Sequence, residues 1–355
     1  MLIKCLFLIG ICCIYTFFYI QKQVPAIFQS GMWCGWMKVS RLFEMLKRYI
    51  VLFLMIAGIS FADENSFALT PAQNELAEQI TQKTMELNYV EAFNLARKLR
   101  LENDGVGCVF QNIIRVSMYD DKGDTTSLKV AAKNLETCKT EGLWDALRNF
   151  EIGYVLTETG HSVKGAMQTR SAANQFEDSK DYESKAFYAI YAYYVDNSFG
   201  WLPFKSDNRD TYLKILDSGS LRSARFWPLF LTPLIWMHYD RKDFKTGLSL
   251  AERGLKKAPN HPVMLQIKAD MLYRLNRYDE AAAIYEKSAA DYLVRTGKTI
   301  RYWCSVLNLI RIYHDAGDEA KAEEQRKKLN DPDFQKQKKW MPSSLIEDLN
   351  DRELL

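Results

Sequence analysis

From about residue 70 onward, apolar residues recur three and four positions apart, and no stretch of useful length alternates with period two. The pattern predicts helices throughout. Thr70-Pro71 opens the first, with Thr as cap and Pro in the first turn, and Leu76, Ile80 and Leu87 lie on one face. Tyr89-Val90-Glu91-Ala92 opens the second, followed by Ala92, Ala96 and Leu99. Residues 108–119 and 125–138 form the next pair, joined by Asp120-Asp121-Lys122-Gly123-Asp124, a turn-forming run. Residues 144–158 and 162–175 follow, with Gly153 at a close helix contact and Gly160 in the turn. Then comes a helix rich in Tyr and Phe (S-K-A-F-Y-A-I-Y-A-Y-Y), an irregular loop over 199–204, and a regular stretch from Trp227 to Ala290.

In that stretch a helix-turn-helix phrase recurs after about 34 residues. Its better copy has Leu265 and Leu272 on one helix face and Ala269 as a small residue. Asn276-Arg277-Tyr278-Asp279-Glu280-Ala281 forms the turn, and Tyr285 and Ser288 lie beyond it. The preceding copy has Leu231, Leu234, Phe244, Gly247, Ala251, Gly254 and Pro259, but Ile235 where the small residue belongs. The following copy has Leu309, Tyr313, Gly317 and Ala322. A small residue at a crossing lets two helices approach closely, and one short pair cannot bury its apolar face alone. These residues resemble the tetratricopeptide repeat (TPR). The fold class is therefore all-α: an α-solenoid of TPR-like antiparallel helix pairs, six or seven of them over residues 70–330.

The N-terminus is of another kind. Residues 1–20 are almost continuously apolar, and a second apolar run covers 49–62 after Lys47-Arg48. That run ends Ser60-Phe61-Ala62 and gives way at once to Asp63-Glu64-Asn65. A basic start, a short apolar core and a small-x-small end describe a secretory signal. The reading is a signal peptide over 45–62, cleaved after Ala62, with the residues before it an over-extended start. The rival reading makes Leu2–Ile20 a membrane anchor. The domain plan is thus 1–62 as apolar or signal region, 63–335 as helical repeats, and 336–355 as a polar tail, either an end cap or a loose terminus.

Charge narrows the function. The net charge of +3 comes from the basic N-terminal region, and the body is close to neutral. That argues against nucleic acid as a partner. Four His (His161, His238, His261, His314) stand apart from one another and from Cys, so no metal and no cofactor is expected. No metalloprotease, nucleophile-elbow, phosphate-loop or dinucleotide pattern occurs, which predicts a non-enzyme. Cys304 beside Trp303 reads as a small core residue rather than a nucleophile. Cys108 and Cys138 are equidistant from Gly123, so an antiparallel hairpin sets them side by side. Export would allow a disulfide between them.

The resemblance also implies where binding happens. In TPR proteins the first helix of each pair lines a concave groove. Counting from the small contact residue selects Tyr154, Tyr193, Trp236 and Tyr239, then Asp270, Tyr273 and Arg274, then Arg311 and His314. One end is aromatic and the other charged, which suits an elongated ligand with an acidic end. The expected function is capture of a protein or peptide partner outside the cytoplasm, with membrane association possible through the N-terminal apolar segments. The alternative is a small-molecule (solute)-binding subunit of a periplasmic system with an aromatic-lined cavity.

Overall fold

The computed structural model describes residues 66–123, 125–199 and 206–355. The signal and anchor expected within residues 1–62 lie outside the described residues. Within them the regular structure is helical, with no strand. Seven antiparallel pairs succeed one another: α1 (Pro71–Met85) with α2 (Tyr89–Glu102), α3 (Asp104–Lys122) with α4 (Thr125–Leu135), and α5 (Gly142–Glu158) with α6 (Ser162–Asp178). Then come α7 (Tyr182–Phe199) with α8 (Arg209–Arg222), α9 (Trp227–Asp240) with α10 (Phe244–Lys257), α11 (Pro262–Arg274) with α12 (Tyr278–Arg295), and α13 (Ile300–Asp315) with α14 (Glu319–Lys328). Two short helices close the chain, α15 (Pro332–Gln337) and α16 (Ser343–Asp351).

Local chemistry explains the starts and crossings. Thr70 and Gln73 form a reciprocal capping box at the head of α1, with Pro71 in its first turn. α5 and α6 cross at Gly153 and Gly165, each lying against the other's backbone. A Cβ on Gly153 would come within 2.9 Å of the Gly165 carbonyl, and one on Gly165 within 2.7 Å of the Gly153 carbonyl. Cys108 and Cys138 are joined, with Cα atoms 5.7 Å apart.

The solenoid closes on itself. Phe67, just before α1, is buried among Trp144, Phe176, Phe187 and Phe226, with ring centroids 5.0–6.2 Å away. Phe110 of α3 stacks on Phe226 at 5.9 Å. Arg225 ties this together: its guanidinium pairs with Glu183 at 2.5 Å and also donates to the Phe67 carbonyl and to Asn74. Thr81 of α1 donates to the Arg225 carbonyl at 2.6 Å. Further along, Asp121 of α3 pairs with Arg295 of α12, and Gly123 lies against Ile300 at the head of α13. α1 and α3 thus pack onto elements more than 140 positions later, and a single apolar core runs from Phe67 to Ala322.

The C-terminal segment differs from the polar tail in the sequence reading. Met341, Leu345, Leu349 and Leu354 are buried in a second core with Tyr292, Trp303 and Phe334. Residues 336–355 therefore cap the last pair with an apolar inner face, and α15 spans the boundary drawn at 335. The charged residues that suggested a tail, Lys336, Lys338 and Lys339, sit on α15 and the 3-10 turn Lys338–Trp340 ahead of that apolar face.

Candidate partner-binding face

Five of the turns between paired helices share one construction. Leu87, Gly160, Lys242, Asn276 and Gly317 each adopt a left-handed conformation, with φ between 58° and 89°. In each case the N–H of the next residue reaches back five positions, as Asn88 to Lys83, His161 to Leu156, Asp243 to His238, Arg277 to Leu272 and Asp318 to Tyr313, at 2.8–2.9 Å. These are Schellman closures of the first helix. The second helix then starts two residues after the left-handed one, capped by the side chain of Asn88, Asp243 or Asp318 in three of the five. The fold is a TPR-like α-solenoid. The repeat is built into the backbone, and the left-handed residue gives each pair a common reference point.

Counting back six from that point picks Thr81, Tyr154, Trp236, Asp270 and Arg311, one per pair. Counting back three picks Thr84, Thr157, Tyr239, Tyr273 and His314. Seven of the nine residues selected from the sequence therefore occupy two equivalent columns, and Arg274 lies beside them at the end of α11.

The columns are not uniformly open. Trp236, Tyr239 and Arg274 form one group, the two rings half-buried against the core and Arg274 exposed: the Trp236 and Tyr239 rings meet edge to face at 5.5 Å, and Arg274 donates to the Tyr239 hydroxyl at 2.6 Å while lying over its ring. Tyr273 is buried beside them, its hydroxyl on Asp315 at 2.5 Å. Asp270 accepts from the Tyr285 hydroxyl at 2.7 Å, and burial raises its carboxyl above the ordinary range.

Three expectations need correction. Arg311 is buried, not offered to a ligand. It donates to Asn308 at 2.6 Å, lies over the Tyr273 ring at 4.4 Å, and stands 3.8 Å from Asp270 and 3.6 Å from Asp348 of the C-terminal cap. Tyr193 is fully buried, and its hydroxyl donates to the Met237 carbonyl at 3.1 Å. On α7 Ala186, Ala189, Ala192 and Tyr193 are all buried, so Tyr193 falls on the core side of the helix. His314 meets Glu319 at the start of α14, so it faces its own turn rather than the groove.

Tyr154 lies apart, near α3. Its hydroxyl donates to Asp120 at 3.2 Å, and Tyr119 donates to Glu158 at 3.1 Å. Tyr154 keeps 37% of its surface accessible. Burial raises the Asp120 carboxyl to about 6, against the opposing pull of Arg301. Cys304 is buried and its thiol is raised to about 11 by burial, the opposite of an activated nucleophile. The sequence reading missed Glu158 and Arg301 beside Tyr119, Asp120 and Tyr154. The available signal was the spacing of Tyr154 and Glu158, four apart on one helix face.

No protein-family model matches the chain, and no curated protein sequence matches it. Solved structures share the helical outline at low identity. One is Rap protein complexed with competence and sporulation factor: 14% identity, TM-score 0.47, over 78% of this chain and 80% of that one. Another is a tetratricopeptide repeat protein from Parabacteroides merdae: 11%, 0.36, over 73% and 92%. A third is the human IFIT1 dimer with m7Gppp-AAAA: 10%, 0.41, over 76% and 73%.

Proposed function

We propose that this protein is a non-enzymatic scaffold that holds a protein or peptide partner against Trp236, Tyr239 and Arg274. The observation that carries the reading is the composition of this open patch. One repeat presents the half-buried rings of Trp236 and Tyr239 at its two column positions, and the exposed Arg274 of the next repeat reaches the Tyr239 ring and hydroxyl. Such side chains give a large contact area with little conformational cost, and Arg274 supplies a fork for a partner carboxylate. Arg311, by contrast, holds the C-terminal cap in place, so the charged end of the patch is Arg274. A photoreactive residue placed at Trp236 should crosslink one recurrent partner in the native cell. The same residue at Val294, exposed on α12, should not. Arg274→Glu, with the photoreactive residue kept at position 236, should abolish the crosslink with the melting temperature unchanged. Equal crosslinking from both positions would reject the patch.

We also infer export. The basic-apolar-small run at 45–62 and the joined Cys108 and Cys138 support it, because disulfides persist in oxidising compartments. Among the described residues no helix is long and apolar enough to cross a membrane. N-terminal sequencing of native protein should begin at Asp63; an intact Met1 would overturn the cleavage.

A further inference from the structure

The last helix of the chain lies at the charged end of the two columns. Leu345, Asp348 and Leu349 of α16, with Arg352 just past its end, stand at i, i+3, i+4 and i+7, one stripe. The leucines are buried with Trp303 of α13. The two charged residues reach the columns. Arg352 Nη1 donates to both oxygens of Asp315, at 2.8 and 3.0 Å, and Asp315 also accepts from the Tyr273 hydroxyl. Asp348 faces Arg311. Arg311 lies over the Tyr273 ring, and Arg274 lies over the rings of both Tyr273 and Tyr239, so the seat of α16 runs into the Trp236–Arg274 patch.

α16 fits this seat imperfectly. Asp348 Oδ2 and Arg311 Nε are both buried without a hydrogen-bond partner. Oδ2 stops 3.6 Å from Arg311 Nη1, whereas a charge-assisted hydrogen bond spans about 2.7–2.9 Å. Asp270, the other carboxylate near Arg311, is no closer, at 3.8 Å. Among the described residues the guanidinium is left with the neutral Asn308 as its hydrogen-bond acceptor. Buried charges that face each other without bonding weaken the closed arrangement. α16 has little of its own to hold it in place. It is nine residues long and starts behind Pro342 without a side-chain cap, shorter than an isolated helix needs to persist.

We propose that α16 is the resident occupant of a helix-binding seat, and that a partner helix displaces it. The partner that fits is amphipathic, with leucines four apart and a carboxylate immediately before the second, the pattern α16 itself carries. A glutamate at that place reaches one methylene further than Asp348 and closes the gap to Arg311. Displacement extends the partner face from Trp236 to Arg311. Only that continuity rests on the function proposed above. The seat is defined by α16 itself, so a failed crosslink at Trp236 rejects the patch and leaves the seat standing.

The test is hydrogen exchange read by mass spectrometry on the isotope-labelled natural chain. Three unlabelled peptides spanning residues 341–355 are added: the natural sequence, Asp348→Glu and Asp348→Asn. Without peptide, residues 345–354 should exchange roughly tenfold or more faster than residues 302–313 of α13, because α16 opens while α13 stays folded. A peptide that takes the vacated seat holds α16 open and raises its exchange further by mass action. Asp348→Glu should act at the lowest concentration and the natural peptide next. Asp348→Asn should need roughly tenfold more than the natural peptide. Exchange of residues 345–354 only together with α13 overturns the proposal. So does a lack of response to the peptides, or an Asp348→Asn peptide as effective as the two acidic ones.

Discussion

Asp121 on α3 accepts from both terminal nitrogens of Arg295, 174 positions further along the chain, at 3.0 and 3.2 Å. The carboxylate is fully buried and also accepts from the Tyr89 hydroxyl at 3.1 Å. Removing one partner of such a pair strands a charge in a dry place. Arg295→Ala should therefore destabilise the protein by about 3 kcal/mol. Urea unfolding of Arg295→Ala, Asp121→Ala and the double variant measures this. The double variant should be less damaged than the sum of the singles.

His261 is tuned by the same neighbourhood. It caps α11, its Nδ1 accepting from the Met264 N–H at 3.4 Å, and burial lowers its pKa to about 4. A cap that accepts must be neutral. The stability from this depressed pKa is fully present above pH 6.5 and is lost as pH falls from there through about 4. His261→Asn keeps a capping acceptor without a titrating ring. The stability difference between variant and natural chain should move in the variant's favour on acidification across that window. A difference independent of pH would contradict the assignment. Asp120, whose raised carboxyl favours the fold as pH falls from about 6, acts equally in both chains and cancels.

Lys242 holds a left-handed conformation at φ 60° while exposed at a turn where Gly160 and Gly317 occupy the equivalent place. A side chain there costs on the order of 1 kcal/mol. Lys242→Gly should raise stability by about 0.5–1 kcal/mol, and Gly160→Ala should lower it by a similar amount. Thermal denaturation of both variants tests the pair of signs.

The joined Cys108 and Cys138 close a loop of 30 positions. Chain-entropy reasoning gives about 3–4 kcal/mol of stability. Unfolding with and without reductant should differ by that order, and the difference should vanish in Cys108→Ala with Cys138→Ala. Peptide mapping of oxidised protein should find Cys304 free and Cys108 joined to Cys138.

The sequence reading reached the pair count, the capping at Thr70, the close contact at Gly153 and the side-by-side cysteines, because each depends on a residue type with few alternatives. Glycine at a crossing and Pro in a first turn announce themselves. The left-handed Leu87 and Lys242 do not, since nothing in a Leu or Lys names that conformation, and the surrounding Schellman closure imposes it. On α7 the density of aromatics made every face apolar, so period alone did not separate the core-facing Tyr193 from the inner column. The burial of Phe67 and of Arg311 depends on segments arriving from more than 35 positions away, the N-terminal lead in one case and α16 in the other. Local pattern carries no record of such arrivals.

An open array of helix pairs is modular: a unit added or lost shifts the rest without breaking it. Here Thr81 must find Arg225 and Asp121 must find Arg295, so the span between them has a fixed length. Duplicating one 34-residue unit inside that span would carry Arg295 past its partner. The ring fastening therefore freezes the number of repeats. Ancestry by duplication, which built such chains, is closed to this one unless the clasp is first undone.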